Sequence, residues 1–253
     1  MHAAQSPPAV LAFAASDPTG GAGVQADLLT LAALGCHPLS VLTALTAQDT
    51  HGVEAVLAID SRWITRQARR VLSDIPPRAF KLGVLGSAAN ADAVAEIVSA
   101  YPKVPLVVDP VLASGRGDAL AVDDVASVLL GKILPLATVA TPNVPESDSL
   151  GGVRAILHAG CRYVLVTGTH DETPEVINRL HDASGIIAEE RWQRLPGSYH
   201  GSGCTLASAV AAFLAHGHTV VEACRLAQAF TWQSLERAIR PGSGQFVPLR
   251  VPR

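Results

Sequence analysis

The chain has 253 residues, of which 49% are hydrophobic and 16% charged, with a formal net charge of −3. That is a globular composition with room for one large core or two small ones, and its faint negative charge excludes a polyanion-binding surface, so no nucleic-acid partner is expected. No apolar run reaches the roughly 18 residues of a membrane span, and residues 1–8 lack the basic start and apolar core of a secretion signal. The cysteines Cys36, Cys161, Cys204 and Cys224 show no C-x-x-C pairing. That spacing suits a reducing cytoplasm and argues against disulfides or a structural metal.

Val10 to Ala15 is a short apolar run that reads as a buried strand. Ser16 to Gly23 forms a glycine-rich loop, and a helix over about Val24 to Leu34 follows, with Gly35 suited to its end. Leu39 to Leu45 and Val53 to Ile59 read as strands, separated by the polar Thr46 to Thr50. Asp60 or Ser61 can cap a helix to about Ser73. Then come a strand over Ala79 to Leu85 containing Lys81, a helix over Ala88 to Ala100, and a strand over Val104 to Val108 ending at Asp109-Pro110. A loop over Ala113 to Asp118, a helix near Asp123 to Leu130 and a strand at Ala137 to Ala140 follow, the last ending at Thr141-Pro142-Asn143. Val153 to Ala159 reads as helix and Tyr163 to Val166 as strand. Val176 to His181 and Gly185 to Trp192 read as an antiparallel pair turning at Asp182 to Ser184. Helices over Thr205 to His216 and Val220 to Ile239 complete the pattern, and 1–8 and 241–253 read as irregular tails.

Strand and helix alternate along the chain without a linker or repeat. The pattern predicts a single α/β domain over 1–253, a mainly parallel sheet with helices on both faces. Ligands of such sheets bind at the carboxyl ends of the strands. Asp17, Gln48, Lys81, Asp109, Asn143 and Thr167 cluster there, although turns are polar in any case.

Several motifs carry competing chemistries. Gly21-Ala22-Gly23-Val24-Gln25-Ala26 satisfies the dinucleotide fingerprint, with Asp49 where a ribose-binding acid would lie. Yet Ser16 to Thr19 separate it from the strand, and it leaves Asp109, Asn143, Glu146 and Cys204 without roles. The glycines could also simply allow close helix–sheet packing. Asp109-Pro110 and Asn143-x-x-Glu146 suit a hard cation such as Mg²⁺, which takes few protein carboxylates and keeps phosphate oxygens and water. A lone Asp at a strand end is commonly a turn former; two acidic sites beside an anion site imply phosphoryl transfer. The anion site is His200-Gly201-Ser202-Gly203-Cys204-Thr205, a loop entering a helix, whose first N–H groups lack intrahelical partners. The same loop could serve a cysteine hydrolase with His200 as base, or be a plain helix start with a buried thiol.

The segments Ala15 to Asp27, Thr43 to Thr50, Val107 to Val111, Thr141 to Glu146 and His200 to Leu206 occur in one order. Together they resemble the hydroxymethylpyrimidine/phosphomethylpyrimidine kinases of thiamine biosynthesis, from about Leu11 to the last helix. The resemblance implies a ribokinase-like three-layer α/β/α sandwich. It implies an ATP- and Mg²⁺-dependent phosphorylation of a hydroxymethyl pyrimidine, then of its monophosphate. Asp27, Gln48 and Val111 then fall on the pyrimidine side, Asn143 and Thr167 on the nucleotide and phosphate side, and Asp109 and Glu146 at the metal. Gly201, Ser202 and Gly203 form the anion hole, and Cys204 stands where the wider superfamily has an aspartate base. Family relatives suggest a homodimer.

The chain departs from the family pattern at named positions. Ala15 replaces a glycine, Val84 a methionine and Thr167 a lysine; the basic residue of Gly115-Arg116-Gly117-Asp118 is shifted; and the segment from Glu146 to Val153 is short. The C-terminal glycines are only partly echoed by Pro241 to Gly244, and His170 to Gln193 is a place where a lid could sit. These changes bear on the phosphate side more than on the pyrimidine side. A pyridoxal kinase and a degenerate pyrimidine-binding module are the alternatives.

Overall fold

The computed structural model describes residues 6–112, 120, 124–169 and 173–251. The glycine loop with Arg116, Asp123 and His170 lie outside the described residues. In chain order the elements are β1 (Ala9–Ser16), α1 (Gly23–Ala33), β2 (His37–Gln48), β3 (Val53–Ala58), α2 (Ser61–Leu72), β4 (Ala79–Leu82), α3 (Ala88–Ser99) and β5 (Leu106–Val108). There follow α4 (Val125–Val128), which runs on through a π turn and a 3₁₀ turn to Leu136, then β6 (Val139–Ala140), α5 (Val144–Ser149), α6 (Gly152–His158) and β7 (Tyr163–Thr167). The hairpin β8 (Glu175–Asp182) and β9 (Gly185–Gln193) precedes α7 (Ser202–Ala215) and α8 (Val220–Glu236). No described helix is long and apolar enough to cross a membrane.

The strands form one nine-stranded sheet in the order β3-β2-β1-β4-β5-β6-β7-β8-β9. The six strands from β2 to β7 pair in parallel, and β3, β8 and β9 add antiparallel edges. The central strands are buried on both faces, which is why they read as continuous apolar runs rather than as alternation. Their pleat still sorts side chains between two cores. Leu11, Phe13, Phe80, Leu106, Val108, Ala140 and Val164 enter the core shared with Ile64, Val94 and Ile156 of α2, α3 and α6. Val10, Ala79, Val107, Val139 and Leu165 enter the other, with Leu31, Ala207, Val210 and Ala227 of α1, α7 and α8. Each such large side chain contributes roughly 1.5–3 kcal/mol of burial. Helix α7 meets the sheet with a run of fully buried small residues, Ala207 to Ala212, so its N-terminus is held close against the strand ends.

One expectation is corrected and two are extended. Strand β2 does not end at Leu45: Thr46 to Gln48 continue it, because β3 pairs back on it from Ala44↔Ala58 to Gln48↔Val53. Its polar character reflects an extension with little covering it. The helix expected over Val153 to Ala159 is α6, and a second short helix, α5, precedes it because Asn143 and Glu146 cap a separate turn. The described C-terminal segment forms no helix or strand of its own, as expected, yet it is not loose. Phe246 N–H donates to Ser198 O at 2.9 Å, His200 N–H to Phe246 O at 2.8 Å, Gln245 N–H to Thr50 O at 2.9 Å, and Leu249 N–H to Ser234 O at 2.9 Å. Thus it straps the β2–β3 hairpin, the approach to α7 and α8 together.

Candidate active site

The site is built where two glycine loops touch. The first follows β1. Asp17, 1% exposed, organises it: Oδ1 accepts from Thr19 N–H at 2.8 Å, and Oδ2 from Thr19 Oγ1 at 3.0 Å and Ala22 N–H at 2.6 Å. The second loop brings His200, whose Nε2 lies 2.8 Å from Asp17 Oδ2. The loops approach so closely that a side chain on Gly21 would strike the His200 ring, and one on Gly201 would strike the carbonyl of Gly21. Gly201 also sits at φ +79°, in the left-handed region that glycine alone adopts freely, and is the N-cap of α7. Burial works against the Asp17 charge, but His200, Thr19 and Ala22 outweigh it and hold the carboxyl well below its ordinary value.

This geometry removes two sequence readings. The loop N–H groups of Thr19 and Ala22 are taken by Asp17, so they cannot cradle a dinucleotide pyrophosphate. The His200 ring is engaged with Asp17, and the Cys204 thiol is pushed up to about 12, chiefly by burial and further by the Asp109 and Asp27 carboxylates. Lys81 and the Gly23 N–H oppose that shift without reversing it. Burial and two nearby carboxylates thus outweigh the pull of the helix terminus toward a thiolate.

Asp109 follows β5 and faces the first turn of α7. A side chain on Gly203 would lie 3.6 Å and 3.7 Å from its two carboxylate oxygens. Asp109 is 4% exposed and its Oδ2 is buried without a hydrogen-bond partner. Burial raises its pKa to about 6, with Lys81 opposing, Asp27 adding and the Cys204 thiol opposing. Val111 is half-buried beside it, its N–H on the Asp109 carbonyl at 2.8 Å.

Glu146 belongs to the capping box of α5. Its N–H donates to Asn143 Oδ1 at 2.8 Å, and its Oε2 accepts from Asn143 N–H at 2.9 Å. Burial and the Asp109 charge push Glu146 up to about 8. The Asp109 charge thus reaches Glu146, and Asp109 has an orphaned oxygen. That arrangement fits Mg²⁺, completed by phosphate oxygens and water. Among the described residues no three acidic, histidine or cysteine side chains gather to hold a metal by themselves. Asn143 and Thr167 lie side by side as a parallel bridge at the ends of β6 and β7.

Asp27 departs from its expected place. It and Lys81 are both 0% exposed, and Lys81 Nζ contacts its carboxylate oxygens at 2.8 Å and 3.0 Å. Ser208 Oγ donates to Asp27 Oδ1 at 2.8 Å. No face of Asp27 is left for a ring. The pleat explains this: Lys81 lies between Phe80 and Leu82 and therefore points to the α1–α7 layer, where Asp27 and Ser208 meet it. Burial works against the Lys81 charge, but Asp27, Cys204 and Asp109 hold its pKa above the ordinary value. Gln48 is half-buried at the end of β2. It lines an open cleft of about 730 Å³ with Pro18, Asp49, His51 and Glu54. Thr46 Oγ1 ties this strand end to Ser16 O at 2.8 Å, beside the first glycine loop.

Sequence reasoning missed Arg250. It is 3% exposed and reaches both glycine loops from the C-terminal strap. An arginine within Val247 to Pro252, an otherwise mostly apolar segment, was the one available signal.

Residues 17–249 match the family described as phosphomethylpyrimidine kinase. The hydroxymethylpyrimidine/phosphomethylpyrimidine kinase of Streptomyces coelicolor is 41% identical, over 94% of this chain and 93% of that one. Its counterpart from Rhizobium meliloti is 36% identical, over 93% of each. Among solved structures, the phosphomethylpyrimidine kinase of Clostridium difficile superposes with a TM-score of 0.78 at 34% identity, covering 90% of this chain and 99% of that one. The pyridoxal kinase of Staphylococcus aureus in complex with AMP-PCP and pyridoxal superposes with a TM-score of 0.86 at 26% identity, covering 96% and 94%. The fold is the ribokinase-like sandwich of these kinases. The chain belongs to the phosphomethylpyrimidine kinase family.

Proposed function

We propose that the chain transfers the γ-phosphoryl group of ATP to 4-amino-5-hydroxymethyl-2-methylpyrimidine, and then to the monophosphate so formed, in thiamine biosynthesis. One observation carries the chemistry. The open first turn of α7 presents Cys204 beside a buried carboxylate, Asp109, whose Oδ2 has no partner. The N–H groups of Ser202, Gly203 and Cys204 have no intrahelical acceptor and stabilise the charge on the transferring phosphoryl oxygens. The pyrimidine takes the cleft at Gln48, whose amide can donate to and accept from a heterocycle. Val111 lines the ring side, and Asn143 and Thr167 hold the nucleotide.

The hydroxymethyl O–H gives its proton to the Cys204 thiolate as the alcohol oxygen bonds to phosphorus and the bond to the β-phosphate oxygen breaks, releasing ADP. Only the thiolate can take that proton, so the thiol, held protonated by its surroundings in the free protein, first loses its own proton to solvent, and the fraction that has done so rises with pH. Asp109 and Glu146 would hold Mg²⁺, which neutralises phosphate charge when bound. Free cysteines throughout fit a cytoplasmic enzyme, and a homodimer is the expected state, to be read by light scattering.

Pyridoxal is the second acceptor to consider, because the pyridoxal kinase of Staphylococcus aureus superposes well on this chain. An ADP-release assay with the hydroxymethyl pyrimidine, its monophosphate and pyridoxal tests the reading. Turnover of the first two is expected. Preference for pyridoxal, or pyrimidine binding with no turnover of any acceptor, overturns it.

A further inference from the structure

Arg250 has no place in the chemistry above, yet its burial calls for a reason. A buried charge without an ion pair is costly, and among the described residues no carboxylate lies within salt-bridge distance of this guanidinium. Its donors go to a hydroxyl and to backbone carbonyls. Nε donates to Thr205 Oγ1 at 2.9 Å, and Nη2 to Gly21 O at 2.5 Å. Longer contacts run from Nη1 to Gly20 O at 3.5 Å and from Nη2 to Gly201 O at 3.4 Å. Thr205 Oγ1 itself donates to Gly201 O at 2.7 Å. One planar fork therefore spans both glycine loops.

The consequence follows from peptide geometry. In a trans peptide the N–H points opposite to the preceding C=O. Drawing the Gly201 carbonyl toward Arg250 and Thr205 turns the Ser202 N–H the other way, as one of the open donors of the α7 first turn. Thr205 N–H also donates to Gly201 O, at 3.0 Å, so the side-chain donors reinforce one helical bond at a residue that, at φ +79° and without a side chain, has most freedom to lose that plane. The backbone of Arg250 is anchored in turn, through Leu249 N–H on Ser234 O at 2.9 Å and Val247 N–H on Ile239 O at 2.8 Å.

We propose that Arg250 is a positioning residue of the anion hole: it clamps the Gly20–Gly21 loop to the Gly201 entrance of α7 and sets the orientation of the Ser202 N–H. The kinetic part of this inference rests on the kinase reading. Lysine keeps the charge but cannot reproduce the fork, so Arg250→Lys is the informative variant and Arg250→Ala its companion. In Arg250→Lys we expect kcat to fall about 10²-fold, the size of effect a small misplacement of reacting groups produces. The KM for the pyrimidine and the melting temperature should stay close to wild type. Wild-type kcat in Arg250→Lys overturns the proposal, as does full activity in a folded Arg250→Ala; if the alanine variant does not fold, the lysine variant decides alone. Hydrogen–deuterium exchange gives a readout that does not depend on turnover. Faster exchange at residues 20–22 and at Thr205, whose N–H is bonded to Gly201 O, with α3 unchanged, supports the clamp; exchange equal to wild type at both loops overturns it. If the wild-type chain phosphorylates no acceptor, the kinase reading fails and the exchange result still judges the clamp.

Discussion

Asp17 and His200, 183 residues apart along the chain, meet at 2.8 Å and close the first glycine loop onto the entrance of α7. The carboxylate also accepts from Thr19 and Ala22, so the contact organises the loop as well as joining it.

The Asp17 pairing has an acid-side consequence. Its folded carboxyl titrates below the ordinary value of 3.8. The stability it contributes is therefore fully present above about pH 4 and is lost as pH falls through the lowered value. Urea midpoints of wild type and Asp17→Asn should differ at neutral pH, and the gap should narrow below about pH 4. A gap that stays constant down to acid unfolding would show that the charge is not what matters.

The Lys81–Asp27 pair is the interaction most exposed to single substitution. Asp27→Asn leaves a buried ammonium without its counter-charge. A loss of about 3–5 kcal/mol in unfolding free energy is expected. Replacing the pair together, Asp27→Leu with Lys81→Met, should recover most of that loss. Denaturant unfolding measures both. If Asp27→Asn instead raised the pyrimidine KM and left stability untouched, Asp27 would return to the substrate side.

Much of this architecture was legible because parallel strands buried on both faces leave an unambiguous mark. Val10 to Ala15, Phe80 and Val107-Val108 are apolar whichever way they point. Local chemistry also read correctly where it is short-ranged: Asp60 caps α2 through Arg62 N–H. What failed was long-range partnership. Asp27 looks the same in sequence whether it faces a ring or a lysine fifty-four residues away, and only the register of β4 against α1 decides. Thr46 to Gln48 looked like a loop because an uncovered strand extension is as polar as a turn. The role of Arg250 was hidden because, apart from the Thr205 hydroxyl, its partners are carbonyls of glycines, which carry no side-chain signal. The acidity of Cys204 stayed open in the sequence for a related reason: the helix terminus is written in the local sequence, while Asp27 and Asp109 come from α1 and the end of β5.

Cys204 gives a prediction on reactivity as well as rate. A thiol pushed up to about 12 holds little thiolate at neutral pH, and the thiolate is the reactive form. Iodoacetamide should therefore modify Cys204 of the ligand-free protein slowly near pH 7.5, with a rate that climbs steadily as pH is raised, read by mass spectrometry of the α7 peptide. Rapid modification at neutral pH would contradict the environment described. Cys204→Ala should lower kcat by about 10²–10⁴-fold, the range for loss of a general base, while pyrimidine binding measured by calorimetry holds. Turnover near that of wild type would remove the thiol from the reaction.

Glu146 and Asp109 make metal affinity a function of pH. Burial raises both carboxyls, Glu146 to about 8 with the Asp109 charge adding, and Asp109 to about 6 with Asp27 adding and Lys81 opposing. Around neutral pH the pair therefore retains protons that a cation must displace. The Mg²⁺ concentration giving half-maximal activity should fall as pH rises from about 6 to 8, and Mg²⁺ binding should release protons, measurable by calorimetry in buffers of different ionisation enthalpy. Glu146→Gln separates metal binding from folding. A glutamine side chain can still accept the Asn143 N–H and keep the capping box of α5, so stability should change little while the charge at the metal is lost. The variant should need more Mg²⁺, with a shallower pH dependence, since the carboxyl raised to about 8 no longer titrates. A Mg²⁺ titration superimposable on wild type at each pH would confine Glu146 to its capping role.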